Sequence, residues 1–247
     1  MRALVEELAI WRDRGLELPL WWRDDDAIEP TPALDRLLAL AKRYDAPMHL
    51  AVVPEFATPA LADRVKQSPA VFALPHGLSH RNHAPSSEKK AEFGAHRPTA
   101  AMVADIDAGW RKLRAMFGGS AMPIFTPPWN RVSADVVGEL PAIGIKAIST
   151  YGPRKSAFAA KDLRQVNTHV DPIDWHGGGG LIDRESLAND IAQLLADRRV
   201  GVSDRDEPFG LLTHHLVHRE EVWSFAEQFL LIMTQSAVAR WTSPLPG

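Results

Sequence analysis

The stretch Trp21-Trp22-Arg23-Asp24-Asp25-Asp26-Ala27 decides how the rest of the chain is interpreted. Together with Leu18 and Leu20 it predicts a buried strand over 18–23 that ends at three consecutive carboxylates. Like charges side by side repel, and the end of a strand leaves little water to screen them. We therefore expect a positive group there, either Arg23 or a metal ion. Taken alone, the stretch is explained more simply as an acidic turn before a helix that opens near Thr31.

Strand and helix patterns alternate on both sides of this stretch. The apolar spacing predicts helices over 2–14, 31–44, 58–67, 99–117, 133–140, 184–199 and 220–236. Short apolar runs predict further strands over 48–53, 70–74, 124–125, 145–149, 163–170 and 210–212, with loops over 84–98 and 177–180. About seven strand-plus-helix units in alternation predict an α/β protein with a parallel sheet. We expect one barrel-like domain that spans 1–247.

Composition narrows the classes of function. The chain has 247 residues, of which 45% are hydrophobic, and this suits one larger compact domain at least as well as two small domains. A net charge of -3 without a basic run argues against a nucleic acid partner, and the lack of cysteine excludes disulfides and thiolate metal sites. Glu6 and Glu7 stand where a signal peptide needs an uninterrupted apolar core, and no run approaches the ~20 apolar residues of a membrane span. We expect a cytoplasmic protein without a membrane partner; no pattern specifies an oligomer.

A histidine pair is the second stretch that could carry chemistry. His76 and His80 are four residues apart, and on a helical turn this spacing places both imidazoles on one face. Two imidazoles and one carboxylate make a facial metal site that leaves positions open for water. Ten histidines produce such a spacing by chance, so the pair gains weight only from the acidic stretch. His83 is predicted to be an ordinary loop histidine.

A proline-rich turn follows the short strand 124–125. Pro127 and Pro128 fix the backbone, so the N–H of Trp129 is rigidly aimed. A rigid N–H beside a polarised carbonyl is what an oxyanion site needs. An ordinary loop with a buried tryptophan explains the same segment.

Two more strand ends carry polar groups. Asp171-Pro172-Ile173-Asp174-Trp175 combines acids with an aromatic side chain after the strand 163–170. His214 and His215 end the last strand, where a histidine with a near-neutral pKa suits a general acid. We expect this role for one of these two histidines, and His218 is expected to be a bystander at the start of the last helix.

The order of the five stretches resembles a known family. An Asp-Asp pair, His-x-x-x-His, a Pro-Pro-aromatic turn, Asp-Trp and Leu-x-His are similar to the motifs of the polysaccharide deacetylases, which are carbohydrate esterase family 4 and carry the NodB-homology domain. The resemblance runs from Trp21 to His215. It implies a distorted, NodB-like (β/α)7 barrel and a divalent metal, usually zinc, held by one Asp and two His. It also implies hydrolysis of N-acetyl groups on sugars.

The resemblance assigns a role to each matching residue. It makes Asp25 the catalytic base and Asp26 a metal ligand, although the register Asp24 and Asp25 stays open. It makes His76 and His80 the other metal ligands and the backbone N–H of Trp129 the oxyanion donor. Asp174 and Trp175 match the Asp-Trp motif, and His214 matches the catalytic acid.

Three departures mark a divergent member. Ala27 replaces the glycine that follows the family's Asp pair, and His215 replaces the acid that follows its last histidine. Thr126 replaces the arginine that, in the family, holds the catalytic base in place. Arg23 or Arg131 is expected to replace that arginine. The changes leave two alternatives beside a carbohydrate substrate: hydrolysis of a small non-sugar amide, and a binding module that lost its chemistry.

Overall fold

A computed structural model of the protein describes residues 1–245, so Pro246 and Gly247, the last two residues of the expected domain, lie outside it. The helices are α1 Arg2–Asp13, α2 Pro32–Arg43, α3 Pro59–Lys66, α4 Thr99–Phe117, α5 Ala134–Glu139, α6 Arg184–Val200 and α7 Glu220–Gln235. The strands are β1 Leu18–Ala27, β2 Met48–Val52, β3 Val71–Pro75, β4 Ile124–Phe125, β5 Ala147–Ile148, β6 Phe158–Ala160, β7 Leu163–Gln165, β8 Phe209–Thr213 and β9 Ala239–Trp241. Within the described residues, no helix combines the length and the apolar character needed to cross a bilayer.

The strands form two sheets. One has the order β3-β2-β1-β8, all parallel, and β9 pairs in parallel with the start of β1. The other has the order β4-β5-β7-β6, in which only β6 runs antiparallel to its neighbour. Isolated bridges join the sheets at both seams, His76 to Thr126 on one side and Val170 to Leu211 on the other. The expected α/β fold is confirmed, and the hydrogen-bond ladder is continuous only within each sheet.

The packing of β1 explains its position at the centre. Successive side chains of a strand point to opposite faces. Trp21 packs in an inner cluster with Leu74 of β3 in the same sheet and with Ile124, Ala147 and Val166, which lie in or next to strands of the other sheet. Leu20 and Trp22 instead pack outwards, in the large cluster that includes α1, α2, α6 and α7. One strand therefore separates the interior from the helical layer, and its side chains alternate between them.

The connection from β1 to β2 shows how local sequence sets the topology. Thr31 caps α2, since its hydroxyl accepts a hydrogen bond from the backbone N–H of Leu34 at 3.0 Å. Pro32 occupies the first position of the helix, where no N–H is needed. The apolar face of α2 is buried, and the helix returns the chain so that β2 runs parallel to β1.

Four strands differ from the sequence prediction. β1 extends to Ala27, so the three aspartates lie within the strand and not beyond it. The predicted strand 163–170 is a short ladder over Leu163–Gln165, followed by isolated bridges at Thr168 and Val170. β6 and β9 were not predicted, because three residues are too few to show a period of two.

Candidate active site

The end of β1 sends neighbouring carboxylates to opposite faces. Arg23 and Asp25 share the inner face, where Nε of Arg23 lies 2.8 Å from Oδ1 of Asp25 and its Nη2 donates to Oδ2 at 3.0 Å. Asp24 faces outwards and accepts hydrogen bonds from the Thr213 hydroxyl at 2.6 Å and from the His215 backbone N–H at 3.0 Å. Arg23 is therefore the positive group expected beside the acids, but it pairs with only one of these three aspartates, Asp25.

Asp26 departs from this alternation. Its backbone is left-handed, with φ 75°, and the register of the β1–β2 ladder shifts between Asp25 and Ala27. The shift turns the Asp26 carboxylate towards the histidine pair. Its Oδ1 lies 3.1 Å from Nε2 of His76 and 3.3 Å from Nε2 of His80.

The two histidines reach Asp26 without a helical turn. His76 directly follows β3, and its Nδ1 donates to the carbonyl of Thr126 at 2.9 Å. Because a carbonyl can only accept, this bond leaves Nε2 of His76 to face Asp26. His80 lies at the end of an irregular bend and has a left-handed backbone, with φ 54°. The expectation of a helical turn is wrong, although the bend brings both imidazoles together.

The donor set fits a divalent ion. The ligand atoms of Asp26, His76 and His80 all lie within 4.8 Å of one another. Bonds from zinc to nitrogen and oxygen are about 2 Å long, so ligand atoms around one ion stand roughly 3–4 Å apart. One carboxylate and two imidazoles also match the ligand types that zinc and similar ions prefer.

Mutual charge shifts the pKa values of this group. Burial opposes ionisation of Asp26, but the hydrogen bond and charge of His76 outweigh it and hold the pKa of Asp26 below its ordinary value. Burial likewise opposes protonation of His76, and the charges of Asp25 and Asp26 raise its pKa nonetheless. For His80, burial and the charge of His76 lower the pKa. The cluster attracts positive charge, and a cation would compete with protons for it.

Of the two histidines that end β8, His214 faces Asp25. Its Nε2 lies 4.0 Å from Oδ2 of Asp25. His218 holds the backbone of His214, since Nε2 of His218 accepts a hydrogen bond from the backbone N–H of His214 at 3.1 Å. Burial lowers the pKa of His218 to about 4, which keeps it neutral and able to accept. His218 thus contacts the backbone of His214, and the expectation that it takes no part in the chemistry stays a prediction.

His215 points the other way. Its side chain is fully buried and its Nδ1 pairs with Oδ1 of Asp24. Burial opposes ionisation of both groups, but each partner's charge raises the pKa of His215 and lowers that of Asp24. This ion pair binds β1 to the end of β8 on the outer face.

Aromatic side chains line the same edge of the sheet. Trp129 has a left-handed backbone, with φ 56°, and its ring centroid lies 4.3 Å from that of His80. Trp175 is half exposed and meets the ring of His214 edge-on at 4.8 Å. Tyr151 is exposed to a similar extent and donates from its hydroxyl to the carbonyl of His169 at 3.1 Å.

The segment 171–177 contains two aspartates with different contacts. Asp171 accepts the indole N–H of Trp175 at 2.8 Å, and burial raises its pKa, with Asp25 adding to the rise and His214 opposing it. Asp174 instead accepts the backbone N–H groups of His176 and Gly177, at 3.1 and 2.7 Å, and so shapes the glycine loop. Sequence reasoning matched Asp174 to a motif but gave no role to Asp171, whose place directly after a strand was the available signal.

Two further candidates lie outside the site. Arg131 donates to the backbone carbonyl of Lys90 at 2.9 Å, so Arg23 and not Arg131 contacts Asp25. His83 is exposed in the loop that follows the bend.

The fold is that of known deacetylases. No protein-family model and no curated protein matches the sequence. A candidate polysaccharide deacetylase from Mycobacterium smegmatis aligns with a TM-score of 0.66 and 14% identity, covering 93% of this chain and 87% of that one. A family 4 acetyl xylan esterase from Clostridium thermocellum, solved with a cobalt ion, aligns with a TM-score of 0.52 and 13% identity, covering 91% and 87%.

A third similar structure separates fold from activity. It is a mutant of a carbohydrate esterase family 4 pseudoenzyme with restored enzymatic activity, and it aligns with a TM-score of 0.57 and 12% identity, covering 92% of this chain and 65% of that one. The resemblance read from the motifs is confirmed as a likeness of fold. A likeness of fold alone does not establish activity, which depends on the residues of the site.

Proposed function

We propose that the protein is a divalent-metal-dependent hydrolase that removes acetyl groups from N-acetylated sugars. The observation that carries the proposal is the convergence of Asp26, His76 and His80 within 4.8 Å, with Asp25 and His214 beside them. These residues come from three separate strand ends, and each has a chemical type that amide hydrolysis needs.

Asp26, His76 and His80 would hold the ion. An ion in this position, with zinc the expected one, would supply Lewis acidity, which polarises a carbonyl and lowers the pKa of water towards ~7. The hydrogen bond from His76 to the Thr126 carbonyl fixes the imidazole, as partners behind metal ligands commonly do.

The remaining residues move protons and stabilise charge. Asp25, held by Arg23, takes the proton of the attacking water while the new C–O bond forms. The backbone N–H of Trp129 donates to the carbonyl oxygen as negative charge develops on it. His214 gives a proton to the nitrogen as the C–N bond breaks, which is needed because an unprotonated amine leaves poorly. Acetate and the free amine are the products.

The family's buttressing arginine is replaced from within β1. Arg23 is fully buried, and besides Asp25 it contacts the Ser149 hydroxyl at 2.7 Å and the side-chain carbonyl of Asn130 at 2.9 Å. Its guanidinium is therefore fixed on three sides. Arg23 in this way takes the role that Thr126, buried and without a charge, cannot fill.

The aromatic rim favours a carbohydrate over other amides. The half-exposed rings of Trp175 and Tyr151 offer flat apolar faces with polar edges, which suit a pyranose ring. The similar structures include a peptidoglycan deacetylase from Bacillus subtilis, which supports the same substrate class.

Acetate release from oligomers of N-acetylglucosamine tests the proposal. We expect turnover that a chelator abolishes and that zinc or cobalt restores. Asp25→Asn should lower kcat by about 10²–10⁴-fold, since it removes the base but no ligand. Glu29→Gln changes an exposed acid three residues beyond the site and should leave turnover unchanged.

Two outcomes contradict the proposal. Turnover that neither the chelator nor Asp25→Asn alters would reject the assigned chemistry. Turnover confined to small non-sugar amides would retain the hydrolase and reject the carbohydrate substrate.

A further inference from the structure

The bend that carries His80 lacks regular backbone support. After β3 ends, residues 76–80 form neither helix nor ladder apart from one bridge at His76. Gly77 and His80 both have left-handed backbones, with φ 63° and 54°. A metal ligand must nevertheless be held within about 0.5 Å to be effective. Backbone hydrogen bonds hold its first half, since the N–H of Gly77 donates to the carbonyl of Thr126 at 3.1 Å and the carbonyl of Leu78 accepts from the N–H of Glu55 at 2.9 Å, so Ser79 and His80 need another partner.

The carboxylate of Glu92 contacts the bend along its length. It accepts the backbone N–H of Ser79 at 2.8 Å, the Ser79 hydroxyl at 2.9 Å and the backbone N–H of His80 at 3.1 Å. The N–H of Leu78 lies farther away, at 3.4 Å from both oxygens. Three successive amides thus converge on one carboxylate, and the last belongs to the metal-ligating residue itself.

Burial and close packing show that this contact is specific. Glu92 is 1% exposed, and its carboxylate forms no ion pair among the described residues. A Cβ at position 77 would lie 2.1 Å from Oε2 of Glu92 and 2.7 Å from Cγ of Pro128, so only glycine fits between them. A buried carboxylate without a cationic partner depends on such amide donors.

Glu92 is itself held by the core. The next residue, Phe93, is fully buried, and its ring meets that of Phe125 edge-on at 5.4 Å. The carbonyl of Phe93 accepts the N–H of Ser133 at 2.8 Å. The long loop 84–98 therefore returns a rigid carboxylate to the bend.

From this geometry we infer that Glu92 is a positioning residue that fixes His80 as a metal ligand. The inference rests on the proposed function, because it needs His80 to bind an ion. Glu92 touches neither substrate nor metal; it acts through the backbone of residues 78–80.

Metal binding by the purified protein tests the inference without relying on activity. Glu92→Gln places an amide NH2 among N–H donors, and we expect zinc affinity, measured by competition with a chromophoric chelator, to fall about 10–100-fold. The visible spectrum of the cobalt form should change as the ligand geometry loosens. Glu88→Gln is the matched control: Glu88 is an exposed acid of the same loop that pairs with His96, and its replacement should leave affinity and spectrum as in the wild type.

Each outcome decides a separate question. A folded Glu92→Gln variant with wild-type affinity and spectrum overturns the inference. If that variant does not fold, Ser79→Ala decides instead: loss of one hydroxyl donor should weaken zinc binding about 2–10-fold, and unchanged binding overturns the inference. A wild-type protein that binds no divalent ion rejects the proposed function, whereas wild-type binding with an unaltered Glu92→Gln variant rejects only the role of Glu92.

Discussion

Three adjacent aspartates acquire three different environments at the end of β1. Strand alternation separates Asp24 from Asp25, and the left-handed backbone of Asp26 separates it from both. The sequence predicts that a positive group lies beside this acidic cluster, because three consecutive carboxylates repel one another. It could not settle the register, because the register depends on one backbone dihedral and one ladder shift that no side-chain pattern reveals.

Arg23→Lys should lower kcat by about 10²-fold while the protein stays folded, because a lysine cannot hold Asp25 through two parallel contacts. Arg131→Lys is the comparison, since Arg131 lies outside the site and donates to the backbone carbonyl of Lys90. Steady-state kinetics of both variants check the assignment. Equal losses in both would show that Arg23 has no special relation to the base.

The neighbouring histidines should separate chemistry from stability. His214→Leu should lower kcat by about 10²–10⁴-fold with little effect on unfolding, because the variant loses the proposed general acid but no buried ion pair. His215→Leu should lower the free energy of unfolding by about 3 kcal/mol, because it leaves the buried charge of Asp24 without its partner. Urea denaturation and acetate release, measured on both variants, distinguish the effects. The reverse pattern would make His215 the acid.

At the scale of elements, the candidate site lies at the ends of strands, and isolated bridges join the two sheets at their seams. Long periodic elements such as α2 and α4 were predicted almost to the residue, because their apolar faces repeat often enough to read. The bend at 76–80 and the role of Glu92 were not predicted. Both depend on contacts between residues that are distant along the chain and leave no local pattern.

Gly210 tests the seam between β8 and the segment after β7. A Cβ there would lie 2.7 Å from Cα of Thr168 and 2.8 Å from the carbonyl oxygen of Asn167, which are backbone atoms that cannot rotate away. We expect Gly210→Ala to destabilise the protein by about 1–3 kcal/mol in urea denaturation.

Gly138 in α5 provides the control, because a Cβ there meets nothing within 4 Å. Gly138→Ala should leave stability unchanged or raise it by about 0.5–1 kcal/mol. A Gly210→Ala variant as stable as Gly138→Ala would mean that the seam accommodates the extra carbon.

At the scale of the whole molecule, buried histidines couple folding to pH. His49 stacks on Phe72 in the core, and burial lowers its pKa to about 4. In the unfolded chain the same imidazole has its ordinary pKa of 6.5. As pH falls below that value the unfolded state takes up a proton that the folded state refuses, so stability falls with acidification until the folded pKa is reached.

His49→Gln should weaken this dependence. Between about pH 8 and about pH 5, the wild type should lose about 2 kcal/mol more of its free energy of unfolding than the variant does. Urea denaturation at both pH values measures the difference, and His83→Gln, at an exposed loop position, should follow the wild type. Equal pH dependence in wild type and His49→Gln would show that His49 is protonated within the folded protein.

The left-handed backbones at Asp26, His80 and Trp129 have an evolutionary consequence. A side chain in that conformation costs up to roughly 1–2 kcal/mol, whereas glycine adopts it freely. Laboratory selection for heat resistance alone should therefore enrich glycine at Asp26 and His80 and yield more stable variants that lack two of the proposed metal ligands. If the proposed function is right, the aspartate and the histidine persist in a lineage only while metal binding is what survival requires.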